Sequence, residues 1–262
     1  MGQFDRETDA ALIQLENEAL SEVPGSEFAE IVGDLLLLIG TAGIWAIAGG
    51  ASNLLLKVRK LAGASYASNL IYAITAVRND LATLYARHEE LRSQIESLGN
   101  DSKFAGAIAA LALRAMQTSV KDRLKRLACI VVNGVKEGDL EPEGLDDMMR
   151  AAVELKDADI FMLGRLYPLE KPLLDRMERA KRGSPALIPN LHGEIQNIWH
   201  NFARSLNPAE QLEYRGSFAR LQSYGMIQQV TFSNSEVGRE PYLLLEEGAK
   251  FYERLQEIGV TK

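Results

Sequence analysis

Twenty-two consecutive residues without a charge, Leu35 to Leu56 (LLLLIGTAGIWAIAGGASNLLL), constrain this chain more than any other feature. A helix needs about 20 apolar residues to cross a bilayer, so the run is long enough to span one. It fits equally the buried central helix or helical hairpin of a soluble fold, because Gly40, Thr41, Gly43, Gly49, Ser52 and Asn53 dilute its apolar character. Asp34 closes the run on one side and Lys57, Arg59 and Lys60 on the other. If it inserts, the positive-inside rule places the C-terminal bulk in the cytoplasm. Ala42, Ala46 and Gly50 recur every four residues beside Trp45. Such a small-residue stripe lets a second helix approach closely, and these four residues are the candidates for membrane engagement and self-association. Both readings of segment 35–60 stay open at this stage.

Charge is uneven. Nine acids and one base, Arg6, fall between Met1 and Asp34, while the whole chain carries −7. The acidic N-terminal helical segment, 1–34, therefore reads as a solvated face or tail, or as a segment that stays out of a membrane or meets a basic partner. Acids at Asp5, Glu7 and Asp9 replace the basic start of a secretory signal. The single cysteine, Cys129, excludes a disulfide framework or a cysteine-built zinc site within one chain, which suits a reducing compartment. The expected location is the cytoplasm, or the inner membrane with the C-terminal bulk in the cytoplasm.

From Leu70 the pattern becomes a heptad. Leu70, Ile74, Val77, Leu81, Leu84, His88, Leu91, Ile95 and Leu98 are spaced alternately four and three apart, as in a coiled-coil seam. His88 on that seam sets register more readily than it binds a ligand. Gly99-Asn100-Asp101-Ser102 stops this helix and caps the next, whose apolar stripe runs through Ala109, Leu113, Met116, Val120, Leu124, Leu127, Val131 and Val135. So short a turn predicts an antiparallel hairpin, 66–98 against 103–136. Arg114, Lys121, Arg123, Lys125 and Arg126 make one face basic, either a solvated face or a patch for nucleic acid or lipid headgroups.

Glu137 to Asp147 reads as an acidic loop ahead of a helix over Leu145 to Leu155. Asp157 caps a short helix that Pro168 is expected to end. Arg182-Gly183-Ser184-Pro185 through Pro189 reads as a linker, which places a domain boundary between a helical bundle, 64–182, and a C-terminal module, 190–262.

In that module a helix ends at Tyr224-Gly225, a strand follows from Met226 to Phe232, then a polar turn from Ser233 to Glu240, a second strand from Tyr242, and a closing amphipathic helix with Phe251, Leu255 and Ile258. The phrase Leu221-x-x-Tyr224-Gly225-Met226-Ile227, followed by Tyr242-Leu243-Leu244-Leu245-x-x-Gly248-x-x-Phe251, resembles that of winged-helix domains, with Leu245 at the place of their usual threonine. The expected fold class is mainly α: a long helical hairpin or coiled-coil bundle, then a small α+β winged-helix-like domain. A winged helix that reads DNA needs lysines and arginines on phosphates. Here the candidates are Arg215, Arg220 and Arg239, offset by Glu213, Glu236 and Glu240, with Ser217, Gln222, Gln228 and Gln229 for base contacts. The footprint is thin, and contact with protein is the simpler expectation.

Chemistry is sparse. His192, Glu194 and His200 are the one local cluster, but the two histidines lie roughly 12 Å apart along a helix axis, too far to share a metal. No phosphate-cradling loop or dinucleotide fingerprint is present. The chain reads as non-catalytic, with no cofactor.

Arg126-Leu127-Ala128-Cys129-Ile130-Val131-Val132-Asn133-Gly134, the acidic loop after it, and Glu154-Leu155-Lys156-Asp157-Ala158-Asp159-Ile160 together resemble the pattern of the Abi-alpha-like family of bacterial proteins. The resemblance runs over most of the chain after Glu27. It implies a link to phage defence by abortive infection and no particular reaction. Two functions then compete. One is a non-catalytic effector or scaffold, a homo-oligomer through its coiled coil that engages a membrane through 35–56 and has protein partners. The other is a soluble dimeric DNA-binding regulator.

Overall fold

The computed structural model describes residues 64–98, 101–182, 191–230 and 241–256. Segment 1–34, the uncharged run with Ala42, Trp45, Ala46 and Gly50, the linker at 183–190, and the turn bearing Glu236, Arg239 and Glu240 lie outside the described residues. What is described is mostly helical, with one two-stranded sheet. The chain divides into two units, one formed by Met1–Val153 with Leu255–Lys262 and the other by Glu154–Arg254.

In the first unit the order is α1 (Ala64–Arg87), a 3-10 turn (Glu89–Leu91), α2 (Arg92–Ser97), α3 (Ser102–Ala115), α4 (Lys121–Glu137) and α5 (Pro142–Glu154). Local chemistry sets several of these ends. The Asp101 carboxylate accepts the N–H groups of Lys103 (2.8 Å) and Phe104 (3.4 Å) and so caps α3. Gly138 takes a left-handed φ of 68° after α4, and the Asp139 N–H returns 2.9 Å to the Gly134 carbonyl. Every residue of α4 from Leu127 to Val135 is buried, as expected of a helix surrounded by others. Its neighbours are α1, which contributes Leu70, Ala73, Ile74, Val77, Leu81 and Leu84, and α3, which contributes Phe104, Ile108 and Leu111.

Neither arm of the expected 66–98/103–136 hairpin is continuous. The first breaks at His88, whose backbone is extended (φ −122°, ψ 92°), and resumes as a 3-10 turn and α2. The second breaks between Ala115 and Lys121. That break resets the helical register. The stripe through Ala109, Leu113, Met116 and Val120 consequently leaves Leu113 49% and Val120 41% exposed, and α3 buries Phe104, Ala107, Ile108, Leu111, Ala112 and Ala115 instead. Pro142 opens α5 three residues earlier than Leu145, in the first turn where a missing N–H costs nothing.

The second unit runs α6 (Asp157–Arg182), α7 (Leu191–Ser205), α8 (Pro208–Ser223), β1 (Ile227–Gln229), β2 (Tyr242–Leu244) and α9 (Glu246–Arg254). Its first element is α6, so the division falls at Val153 and Glu154, ahead of the Gly183 to Pro189 run. Pro168 does not end α6; both Pro168 and Pro172 lie inside it. Each lacks an N–H, which removes the i→i−4 bond to the Gly164 and Pro168 carbonyls and costs about 3 kcal/mol. The helix persists because α7, α8, β2 and α9 all pack on it, burying Met162, Leu163 and Leu166 before the prolines and Leu173 and Leu174 after them. At roughly 1.5–3 kcal/mol per buried side chain, that packing outweighs the lost bonds.

A capping box starts α8. The Glu210 N–H donates to the Asn207 side chain (3.0 Å), the Asn207 N–H to the Glu210 carboxylate (2.8 Å), and Pro208 fills the first turn. The helix ends at Gly225, φ 66°, with the Met226 N–H 3.0 Å from the Leu221 carbonyl. The strands pair antiparallel, Ile227 opposite Leu244 and Gln229 opposite Tyr242. Gly248 is dictated by close approach: a Cβ there would lie 2.2 Å from the Met226 carbonyl oxygen.

Candidate functional site

The surface that a DNA-reading function would use is carried by α8 and the hairpin. An aromatic cluster holds these elements. Phe218 on α8 stacks on Tyr242 of β2 (5.0 Å between centroids) and meets Phe202 (5.6 Å) and Trp199 (5.5 Å) of α7 edge-on. Tyr214 touches the same group from α8, 5.9 Å from Phe218.

Within this frame the nominated residues separate. Arg220 is part-exposed, its side chain 39% accessible, and paired: its Nε donates to Asp159 Oδ2 (2.8 Å) and its Nη2 to Asp159 Oδ1 (2.6 Å). Asp159, in the first turn of α6, is fully buried and also accepts the Lys156 N–H at 2.9 Å. Burial pushes that carboxyl up, but Arg220, Ser217 and the Lys156 N–H together hold it below the ordinary aspartate value. Ser217 is fully buried beside Arg220 (3.5 Å) and is therefore not a base-contacting residue. Ser217 thus lies in the interior of the unit, while Arg220 is part-exposed and paired with Asp159. Arg215 stays at the surface with its Nε 3.3 Å from the Tyr214 hydroxyl, and Gln222, Gln228 and Gln229 are exposed. Glu213 is exposed as well.

The heptad positions are spent inside the first unit. Ile74, Val77, Leu81, Leu84 and Ile95 are buried there, whereas Leu91 is half-buried and His88 sits at the helix break with Nδ1 3.1 Å from Glu90. The break removes His88 from any continuous seam. The basic face is divided in the same way. Arg114 makes a bidentate pair with Asp146, Nε to Oδ1 at 3.1 Å and Nη2 to Oδ2 at 2.8 Å, Lys121 lies over the Tyr72 ring (5.8 Å), and Arg126 reaches the Ala152 carbonyl (3.5 Å).

Comparison with known proteins gives no match. No family model, no curated protein and no solved structure is similar to this chain.

No group of three or more histidine, cysteine or acidic side chains among the described residues is placed to hold a metal. His192 and His200 are both exposed on α7, and Glu194 between them pairs with Arg176. Also among the described residues, no helix is long and apolar enough to cross a membrane.

One buried acid escaped the sequence reading. Glu170 of α6 is 1% exposed, and its Oε2 accepts the Leu244 N–H of β2. Its Oε1 has no hydrogen-bond partner among the described residues. Burial raises the carboxyl to about 7, although the Leu244 N–H works in the opposite direction. A signal was present, since Glu170 interrupts the apolar face Leu163, Leu166, Leu173 and Leu174 at helical spacing. Nearby, the Tyr167 hydroxyl donates to Glu253 (2.6 Å), and burial and that carboxylate raise its pKa.

Proposed function

We propose that this protein is a non-catalytic helical effector or scaffold, tied to a membrane and to copies of itself through residues 35–56, with its helical units in the cytoplasm. The observation that carries the reading is the uncharged run itself, with Asp34 before it and Lys57, Arg59 and Lys60 after it. Two features of the described units support it. The heptad residues Ile74, Val77, Leu81 and Leu84 are already buried within the chain, so the stripe Ala42, Ala46 and Gly50 becomes the better candidate for self-association. Arg220, half of the nominated cationic footprint on α8, is committed to Asp159. A part in antiviral defence of the abortive-infection kind follows only from the Abi-alpha-like resemblance and belongs to this proposal.

Fractionation of cells expressing the intact chain tests the reading. The protein should sediment with membranes, resist alkaline wash and require detergent, and Ala46→Arg should release it. An intact chain that stays in the supernatant without detergent overturns it.

A second reading has one observation in its favour: the order α7, α8, β1, β2, α9 resembles the one expected of a winged helix, and Arg215, Gln222, Gln228 and Gln229 are exposed on it. A soluble dimeric regulator of this kind would bind DNA with steep salt dependence, and Arg215→Ala and Arg239→Ala would weaken binding without unfolding the chain.

A further inference from the structure

The hairpin of the second unit has one edge closed by an acid. The Leu245 N–H donates to the Met226 carbonyl (3.0 Å) and the Val230 N–H to the Pro241 carbonyl (2.8 Å), which makes residues 226 and 245, and 230 and 241, the hydrogen-bonded pairs of the ladder. With Ile227 opposite Leu244, the pairs alternate, so the Leu244 N–H points away from β1, to the outer edge of the sheet. An outer edge in a protein interior needs an acceptor. Glu170 supplies it from α6, between Pro168 and Pro172.

The acceptor is an unusual one. A buried backbone N–H is satisfied by any neutral carbonyl, yet here it meets a carboxyl that is 1% exposed and whose second oxygen has no partner among the described residues. An ion in that place loses its hydration and gains a single neutral donor. Several ionisable groups on the surrounding elements have other partners. On α6, Lys171 pairs with Asp175 and Glu253, and Tyr167 with Glu253; from α7, Glu194 pairs with Arg176; from α8, Arg220 pairs with Asp159 and Glu210 with Arg165. The remaining ionisable groups on β2 and α9 are Tyr242, Glu246, Glu247, Lys250, Tyr252 and the buried Arg254, and the proton affinity of Glu170 is set by burial against the Leu244 N–H.

We propose that Glu170 is a proton-operated latch on the hairpin: neutral, it seats the outer edge of β2 against α6, and ionised, it loosens that seat and lets water reach the strand. The opening would act on the base of the hairpin that presents Gln228 and Gln229. It is independent of whether residues 35–56 enter a membrane.

The sign follows from the raised pKa. The seated state holds its proton up to about 7, while an opened, hydrated Glu170 ionises near 4.5. The seat is therefore firmest below 4.5 and weakens as pH rises to about 7. The test is amide exchange at Leu244 in the full chain, as protection factors, for the natural protein and Glu170→Gln. Between pH 5.5 and 8.5 protection in the natural protein should fall about thirtyfold relative to the variant. Parallel profiles overturn the proposal. If Glu170→Gln does not fold, the carbon-13 titration of the Glu170 carboxyl in the natural protein decides: a midpoint near neutrality upholds the latch, and one near 4.5 overturns it.

Discussion

Arg220 on α8 holds Asp159 on α6 through two hydrogen bonds, 2.6 and 2.8 Å, and the aspartate it holds is fully buried. The pair joins residues 61 apart in sequence and fixes the first turn of α6 against α8. Removing the cation strands a buried anion. Arg220→Ala should destabilise the second unit by about 3 kcal/mol, and Arg220→Lys by less, in urea denaturation at neutral pH. Asp159 has a depressed pKa, so its contribution is present above the ordinary value of 3.8 and is lost as pH falls through the lower, folded value. The natural protein should therefore lose stability on acidification below that range more steeply than Arg220→Ala. Equal acid profiles would show that the pair contributes nothing.

Two glycines should respond oppositely to alanine. At Gly248 the added methyl would lie 2.2 Å from the Met226 carbonyl oxygen, which is backbone and cannot turn away. Gly248→Ala should cost about 3 kcal/mol or more and disturb the junction between β1 and α9. At Gly106, inside α3, nothing lies within 4 Å of the added atom. Gly106→Ala should stabilise by about 0.5–1 kcal/mol through helix propensity alone. Thermal melts of the two variants check both signs.

Leu81 and His88 both belong to the heptad pattern but differ in place. Leu81 is buried in the first unit, and His88 sits at the helix break. Leu81→Ala should cost about 2–5 kcal/mol, while His88→Ala should stay within about 0.5 kcal/mol. Because the burial is within one chain, the cost of Leu81→Ala relative to the natural protein should stay the same over an about hundredfold range of concentration. A cost that changes with concentration would mean that these helices pair between chains.

How much of this was legible beforehand follows from the range of each interaction. The heptad from Leu70 to Leu84 and the stripe from Leu124 to Val135 record which faces are apolar, and those faces are buried. The same period ran through His88 and through Met116 to Val120, where the helices stop. Periodicity cannot register such a stop, since a break that preserves spacing leaves the pattern intact. Pro168 misled in the opposite sense. It is a strong local signal for a helix end, overridden by side chains from four other elements packing on α6.

The sequence by itself determined the helical character of both units, the cap at Asp101, the capping box at Asn207 and Glu210, and the left-handed glycine at Gly225, because each depends on groups within a few residues of one another. Tertiary structure alone decided that Arg220 serves Asp159, 61 residues away, and that Glu170 closes the edge of β2 at Leu244, 74 residues away. A charged side chain has the same identity in water and in a core. Only the surrounding fold removes the water and determines which partner replaces it.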